Sequence, residues 1–264
     1  MTGRETFDGF TTPERVAATE PERALLATAT PTSIDGDDGR IAAWRFGDQG
    51  PRVLLVHGWN SRASHLGGFV APLRARGYQV IAFDAPAHGD SDGARTSVVH
   101  VGRAIRRVAE AVGWIDGVVS HSIGSTATLF ALAQGLRVRA SVHLAGPTSG
   151  ERRLYDAINA SALMPAEAYT FRKLFEAYIG MPASTVELPY LSSGLRHPGL
   201  LIHDPLDRVI PFAESEALHL AWRASTLLVT GGGHARILRA PDVIDRTVRW
   251  LDASLRPRTA SLAA

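Results

Sequence analysis

Cysteine is absent from this chain, and that one absence excludes disulfides, thiolate zinc sites and a cysteine nucleophile together. Long apolar runs are missing as well. No stretch approaches the roughly 20 apolar residues that a membrane helix requires, and Arg4, Glu5, Asp8, Glu14 and Arg15 precede any apolar run. A soluble, cytoplasmic protein with no membrane span is therefore the expectation. Charge of one sign is scarce: the formal net charge is +2 and the isoelectric point is near 9.3. No basic cluster interleaves with aromatics, so nucleic acid is not an expected partner. Internal repeats and low-complexity segments are also lacking. What is plentiful is core-forming material, 45% of 264 residues being hydrophobic, enough for one domain carrying an insertion.

Along the chain, residues 1–31 are polar and punctuated by proline, with one helix-capable piece from Pro21 to Ala29. They read as an N-terminal extension, able either to pack on the body or to fray. Thr32-Ser33-Ile34 and Ile41 to Phe46, separated by Asp35 to Gly39, predict a hairpin. Strands and helices then alternate. Strands are expected at Val53 to Val56, Val80 to Phe83, Val118-Val119 and Ser141 to Leu144; helices at Ala63 to Arg76, Ser97 to Val112 and Ser125 to Leu136. Such alternation implies a parallel sheet with helices on both faces, an α/β fold with a mostly parallel, doubly wound sheet. The pattern breaks over 147–198, where two helical periods, Glu151 to Leu163 and Pro165 to Gly180, intrude before a strand at Leu200. The core is thus expected over 32–146 and 199–264, closing with a helix from Asp242 to Leu255.

Ser120-His121-Ser122-Ile123-Gly124 carries the most chemistry. An apolar strand leads into it and a helical run leaves it, the context of a sharp strand-to-helix turn that lifts the central hydroxyl above a sheet. Small residues two before and two after allow strand and helix to approach closely; Ser120 stands where glycine is usual. Leu200 to Pro211 reads as a buried strand ending in an acidic turn that holds Asp204 and Asp207. Leu227 to His234 reads as a strand ending in Gly231-Gly232-Gly233-His234. Serine, aspartate, histidine is the order expected when three catalytic groups sit on successive strand ends of one sheet. A serine hydroxyl is a weak nucleophile at neutral pH and needs a base, here His234, whose imidazole needs a carboxylate to fix its tautomer.

With these motifs in order, the sequence resembles the α/β-hydrolase superfamily over roughly residues 40–255. His57-Gly58-Trp59 after a strand is similar to that family's oxyanion loop, and Asp84-Ala85-Pro86-Ala87-His88-Gly89-Asp90-Ser91 to its Asp-x-x-Gly-His-Gly-x-Ser turn, with Ala87 replacing the first glycine. The resemblance implies Ser122 as nucleophile, His234 as base and Asp207, in preference to Asp204, as acid, with the Trp59 and Ile123 amides as oxyanion donors. It also implies that His57 braces the oxyanion loop, that His88 holds the following turn, that His121 lies beside the elbow, and that 147–198 is a helical cap. A carboxylic-ester hydrolase of small or medium acyl esters, working through an acyl-serine, is the activity expected. Neither cofactor nor metal is implied.

Other readings stand beside these. The same parts serve a thioesterase, lactonase, amidase, acyltransferase or carbon–carbon bond hydrolase, and a non-catalytic ligand-binding protein on this fold is open if Ser120 distorts the elbow. Trp59 is read either as an acyl-pocket wall or as core. His121, Tyr155, Tyr169 and Phe175 are expected to touch substrate, although the cap aromatics could equally form the cap's own small core. Arg152, Arg153, Arg172 and Lys173 make the cap locally basic, which suits a carboxylate-bearing substrate or, in preference, a solvated helix face. Ser91 and Ser125 lack the context of a nucleophile. A small-molecule acyl substrate is the expected partner, with oligomeric state left open.

Overall fold

The computed structural model describes residues 1–256. Its centre is an eight-stranded sheet in the order β1-β2-β4-β3-β5-β6-β7-β8. The strands are β1 Thr30–Gly36, β2 Gly39–Phe46, β3 Arg52–Val56, β4 Gln79–Phe83, β5 Gly117–His121, β6 Ala140–Leu144, β7 Gly199–His203 and β8 Ser225–Val229. β1 and β2 form the hairpin, β2 runs antiparallel to β4, and the remaining pairings are parallel. Every residue of β4, β5, β6 and β7 is buried, which explains why these strands read as continuous apolar runs instead of alternating ones.

Alternation survives as a division between two cores. Leu54, Val56, Ile81, Phe83, Val118 and Leu201 pack on one face, beneath α4 (Val98–Val112) and α5 (Ile123–Ala133). Val53, Leu55, Val80, Ala82, Val119 and Leu200 pack on the other, against α3 (Val70–Arg74) and α11 (Pro241–Leu255). Between β6 and β7 the chain departs into α6 (Gly150–Ala160), α7 (Pro165–Ile179) and the short α8 (Leu188–Leu191). β7 leads through α9 (Phe212–Ala221) to β8, and β8 to the one-turn α10 (Gly233–Arg236).

Three local expectations need correction. The helix expected over Ala63 to Arg76 is a tight 3-10 segment, Ala63–Phe69, followed by α3; Gly67-Gly68 and Pro72 break the regular helix. The N-terminal piece expected from Pro21 is α2, Glu20–Ala27. Ahead of it lies an unanticipated helix, α1 (Gly3–Thr11), begun by a reciprocal capping box between Thr2 and Glu5. The Thr-x-x-Glu spacing was the available signal. The extension does not fray: Phe7 and Phe10 of α1 pack edge-on against Tyr178, Phe171 and Phe175 of α7. The final stretch assigned to the core from sequence, 257–264, lies outside the described residues. Among the described residues no helix is long and apolar enough to cross a membrane.

Candidate active site

Ser122 joins β5 to α5 with φ +53° and ψ −130°, a conformation rarely adopted by residues with a Cβ, which is held here by its surroundings. Its amide donates to Leu144 O at 2.9 Å. Gly124 is required by close approach: a Cβ there would lie 2.4 Å from His57 O and 2.8 Å from Val56 O. Ser120 is accommodated without distortion, its hydroxyl donating to Val142 O at 3.0 Å and lying 3.2 Å from both Ser125 Oγ and His143 Nδ1.

The ends of β5, β7 and β8 bring Ser122, Asp207 and His234 together. His234 Nε2 lies 2.9 Å from Ser122 Oγ, and His234 Nδ1 lies 2.8 Å from Asp207 Oδ2. One tautomer satisfies both contacts, with Nδ1–H donating to the carboxylate and bare Nε2 accepting from the hydroxyl. Asp207 Oδ1 accepts from the Val209 and Ile210 amides at 2.7 and 3.1 Å. Burial pushes the Asp207 pKa up, but the hydrogen bonds from His234 and those two amides outweigh it and hold the carboxyl below its ordinary value. Asp204 does something else. Its Oδ1 accepts from Leu206 N at 2.8 Å and its Oδ2 from Gly233 N at 2.6 Å, which fastens the histidine loop to the acidic turn. Gly232 and Gly233, with φ of +118° and +67°, let the chain turn back so that His234 faces the elbow.

His57 Nε2 accepts from Ala85 N at 2.9 Å while Nδ1 donates to Gly58 O at 2.7 Å, so the ring is neutral and braces the loop before Trp59; burial pushes its pKa down to about 4. Neither the Trp59 nor the Ile123 amide has an acceptor among the described residues, and Ile123 is the first residue of its helix, where amides point outward unpaired. The turn after β4 is organised by buried Asp84, which accepts from Ala63 N and Asp90 N at 2.7 Å each. His88 stacks edge-on against Trp59, with ring centres 5.4 Å apart. Ser91 fastens the same turn, donating to Asp84 O at 2.6 Å. Ala87 holds a positive φ of +65°, where glycine would be unstrained.

A cavity of about 290 Å³ opens beside the elbow. Trp59 and Ile123 line it, with Thr126, Pro147, Phe175 and Val186 among the other wall residues. Trp59 is therefore a wall and not core. Phe175 serves both functions, lining the cavity while 5% exposed within the α7 packing. The other expected substrate contacts lie elsewhere. Tyr155 and Tyr169 are 61% and 64% exposed on the outer faces of α6 and α7. His121 is absent from the cavity wall; its Nε2 donates to the His234 carbonyl at 2.8 Å, so it supports the histidine loop. The four basic residues that make the insertion locally basic are paired: Arg152 with Asp156, Arg172 with Glu151, Lys173 with Glu176, and Arg153 with Asp156 and Glu214. Arg153 nonetheless reaches the cavity. Gly9 and Phe10 of α1 line it too, a contribution no sequence pattern announces.

The sequence from residue 53 to 247 matches the model of the alpha/beta hydrolase family, and the chain belongs to that family; its sheet is the α/β-hydrolase fold. A pyrethroid hydrolase of Sphingobium wenxiniae is 35% identical over 85 residues, a match covering 31% of this chain and 30% of that relative. The match thus spans under a third of the curated relative's length. An esterase of Pyrococcus furiosus superposes with a TM-score of 0.72 at 21% identity, over 92% of this chain and 100% of the other. An esterase of Exiguobacterium antarcticum superposes with a TM-score of 0.63 at 18% identity, over 84% and 99%.

Proposed function

We propose that the protein is a carboxylic-ester hydrolase that works through an acyl-serine intermediate on esters of small or medium acyl chains. The observation that carries the reading is the unbroken hydrogen-bonded line from Asp207 through His234 to Ser122, beside an apolar cavity. Ser122 Oγ attacks the ester carbonyl as His234 Nε2 takes its proton. The imidazolium so formed is stabilised by the Asp207 carboxylate. Negative charge gathers on the carbonyl oxygen, where the Trp59 and Ile123 amides serve as donors already in place, each worth about 3–4 kcal/mol of barrier. His234 then gives the proton to the departing alcohol, and in the second half it takes a proton from water, which attacks the acyl-serine and releases the acid and the free hydroxyl.

The name of the sequence relative, a pyrethroid hydrolase, supports an ester as substrate; the structural neighbours, at 21% identity and below, support the fold alone. Hydrolysis of p-nitrophenyl butyrate and hexanoate tests the proposal. Turnover by the wild type, reduced at least a thousandfold in Ser122→Ala and His234→Ala, is expected. Equal rates in the wild type and Ser122→Ala, or no turnover by a folded wild type, contradict it.

A further inference from the structure

The cavity is built from more of the chain than the family match includes. Two of its wall residues, Gly9 and Phe10, belong to α1, well ahead of residue 53. We propose that α1 is a fixed wall of the acyl-binding cavity and that Phe10 sets the length of chain it admits. The acyl character of the ligand rests on the ester-hydrolase reading above.

α1 is held at both ends. At its start the Gly3 amide donates to the Glu167 carboxylate of α7, and a Cβ on Gly3 would meet Glu167 O at 2.3 Å, so the two helix backbones touch where only glycine fits. At its end, Thr96 N donates to Thr11 O at 2.8 Å and Arg95 pairs with Asp8 at 2.6 Å, tying α1 to the turn ahead of α4. Between these anchors Phe10 stands edge-on to Phe171 and Phe175, with centroids 5.5 Å from each. Its ring is thus locked by aromatic neighbours on α7, one of which also faces the cavity.

The segment that follows α1 continues the fastening toward the reaction end. Glu14 N donates to Asn60 Oδ1 at 2.9 Å, one residue beyond Trp59, and Arg15 donates to Gly89 O at 2.6 Å and Gly93 O at 2.7 Å. One continuous stretch of chain therefore sets Phe10 and steadies the loop that carries the Trp59 amide. The space enclosed, about 290 Å³, holds roughly ten water-sized groups at about 30 Å³ each. That suits a medium acyl chain. Phe10→Ala removes a ring from the wall and lengthens the space. Gly9→Leu works in the opposite direction, because a Cβ there meets nothing within 4 Å and can carry a side chain into the opening.

The test uses the full chain and two readouts. The first is kcat/KM for p-nitrophenyl esters from butyrate to myristate. The second is the affinity of Ser122→Ala, alone and combined with each wall substitution, for the free carboxylates of the same lengths, which requires no catalysis. Each methylene admitted to an apolar surface is worth roughly a fourfold gain in binding. The laurate-to-hexanoate ratio is accordingly expected to rise about tenfold or more in Phe10→Ala and to fall about tenfold in Gly9→Leu, in both readouts. Asp8→Asn, which loosens α1 without altering the cavity, is expected to lower Tm and leave the ratio unmoved. Ratios within twofold of wild type in both wall variants overturn the proposal, as does a shift in Asp8→Asn equal to that in Phe10→Ala. Carboxylate binding that shifts as expected in a protein that hydrolyses no ester would retain the wall and defeat the ester-hydrolase reading instead.

Discussion

His234 and His203 share one carboxylate oxygen. Asp207 Oδ2 lies 2.8 Å from His234 Nδ1 and 3.3 Å from Nε2 of the buried His203, which also lies 3.1 Å from Ile210 O and whose Nδ1 is 2.7 Å from Ser215 Oγ. The Asp207 carboxylate thus touches a β7 ring on one side and the His234 ring on the other, the arrangement the proposed acid and base require. Asp207→Asn replaces an acceptor with an amide that favours the wrong tautomer of His234, and kcat is expected to fall by about four orders of magnitude with little change in KM. Asp204→Asn keeps the triad contact and weakens only the tether to Gly233 N, so a loss of about ten- to a hundredfold is expected. Steady-state kinetics on the two variants distinguishes them; an equal loss would contradict the division of roles.

The elbow yields opposite expectations for its two small residues. Gly124→Ala forces a Cβ to 2.4 Å from a backbone carbonyl, and the variant is expected to fold poorly or not at all. Ser120→Gly removes three buried contacts around the hydroxyl. It is expected to lower stability by about 1–3 kcal/mol, because His143 and Ser125 lose a partner, while kcat changes by less than tenfold. Thermal unfolding with kinetics checks both.

Much of this site was legible beforehand because it depends on chain order and residue size: a serine between small residues after a strand, then an acidic turn, then Gly-Gly-Gly-His. Which side of a helix faces inward was harder to read. In α7, Phe171, Phe175 and Ile179 recur every four residues and form the buried stripe; Tyr169, two positions before Phe171, falls on the far side by the 3.6-residue period. Tyr155 follows buried Leu154 by one residue and turns outward likewise. The stripe was present in the sequence and outweighs aromatic character as a guide. The place of α1 was not legible, since its partners on α7 lie some 160 residues away and no local pattern specifies that pairing.

In the proposed reaction Trp59 contributes its backbone amide, while the residue itself lines the cavity wall. Trp59→Ala keeps the amide and removes the wall, so KM for a hexanoyl ester is expected to rise about tenfold while kcat holds within severalfold. A collapse of kcat with KM unchanged would instead mean that the ring positions the oxyanion loop.

Acid stability follows from the buried histidines. Burial pushes His57 and His121 down to about 4 and His143 down to about 3. Their folded pKa values lie below the unfolded one, about 6.5. As pH falls from about 6.5 toward 4, the unfolded chain therefore takes up protons that the folded protein refuses, and stability is lost through that window. Each depressed group is worth on the order of 3 kcal/mol, against a usual domain stability of about 5–15 kcal/mol. Asp84, whose pKa burial raises, works the other way, but it stands alone against these rings, and burial pushes His88 and His197 down as well. Tm is expected to hold from pH 8 to 7 and to drop steeply below about pH 6. A Tm unchanged down to pH 4.5 would contradict the neutral state assigned to these rings.

The central claim is that Ser122 is an activated nucleophile, and intact-mass analysis after treatment with a fluorophosphonate addresses it directly. One adduct per chain on the wild type, none on Ser122→Ala and slow formation on His234→Ala is the predicted result. A folded wild type that takes no adduct, or an adduct that persists in Ser122→Ala, would contradict the claim.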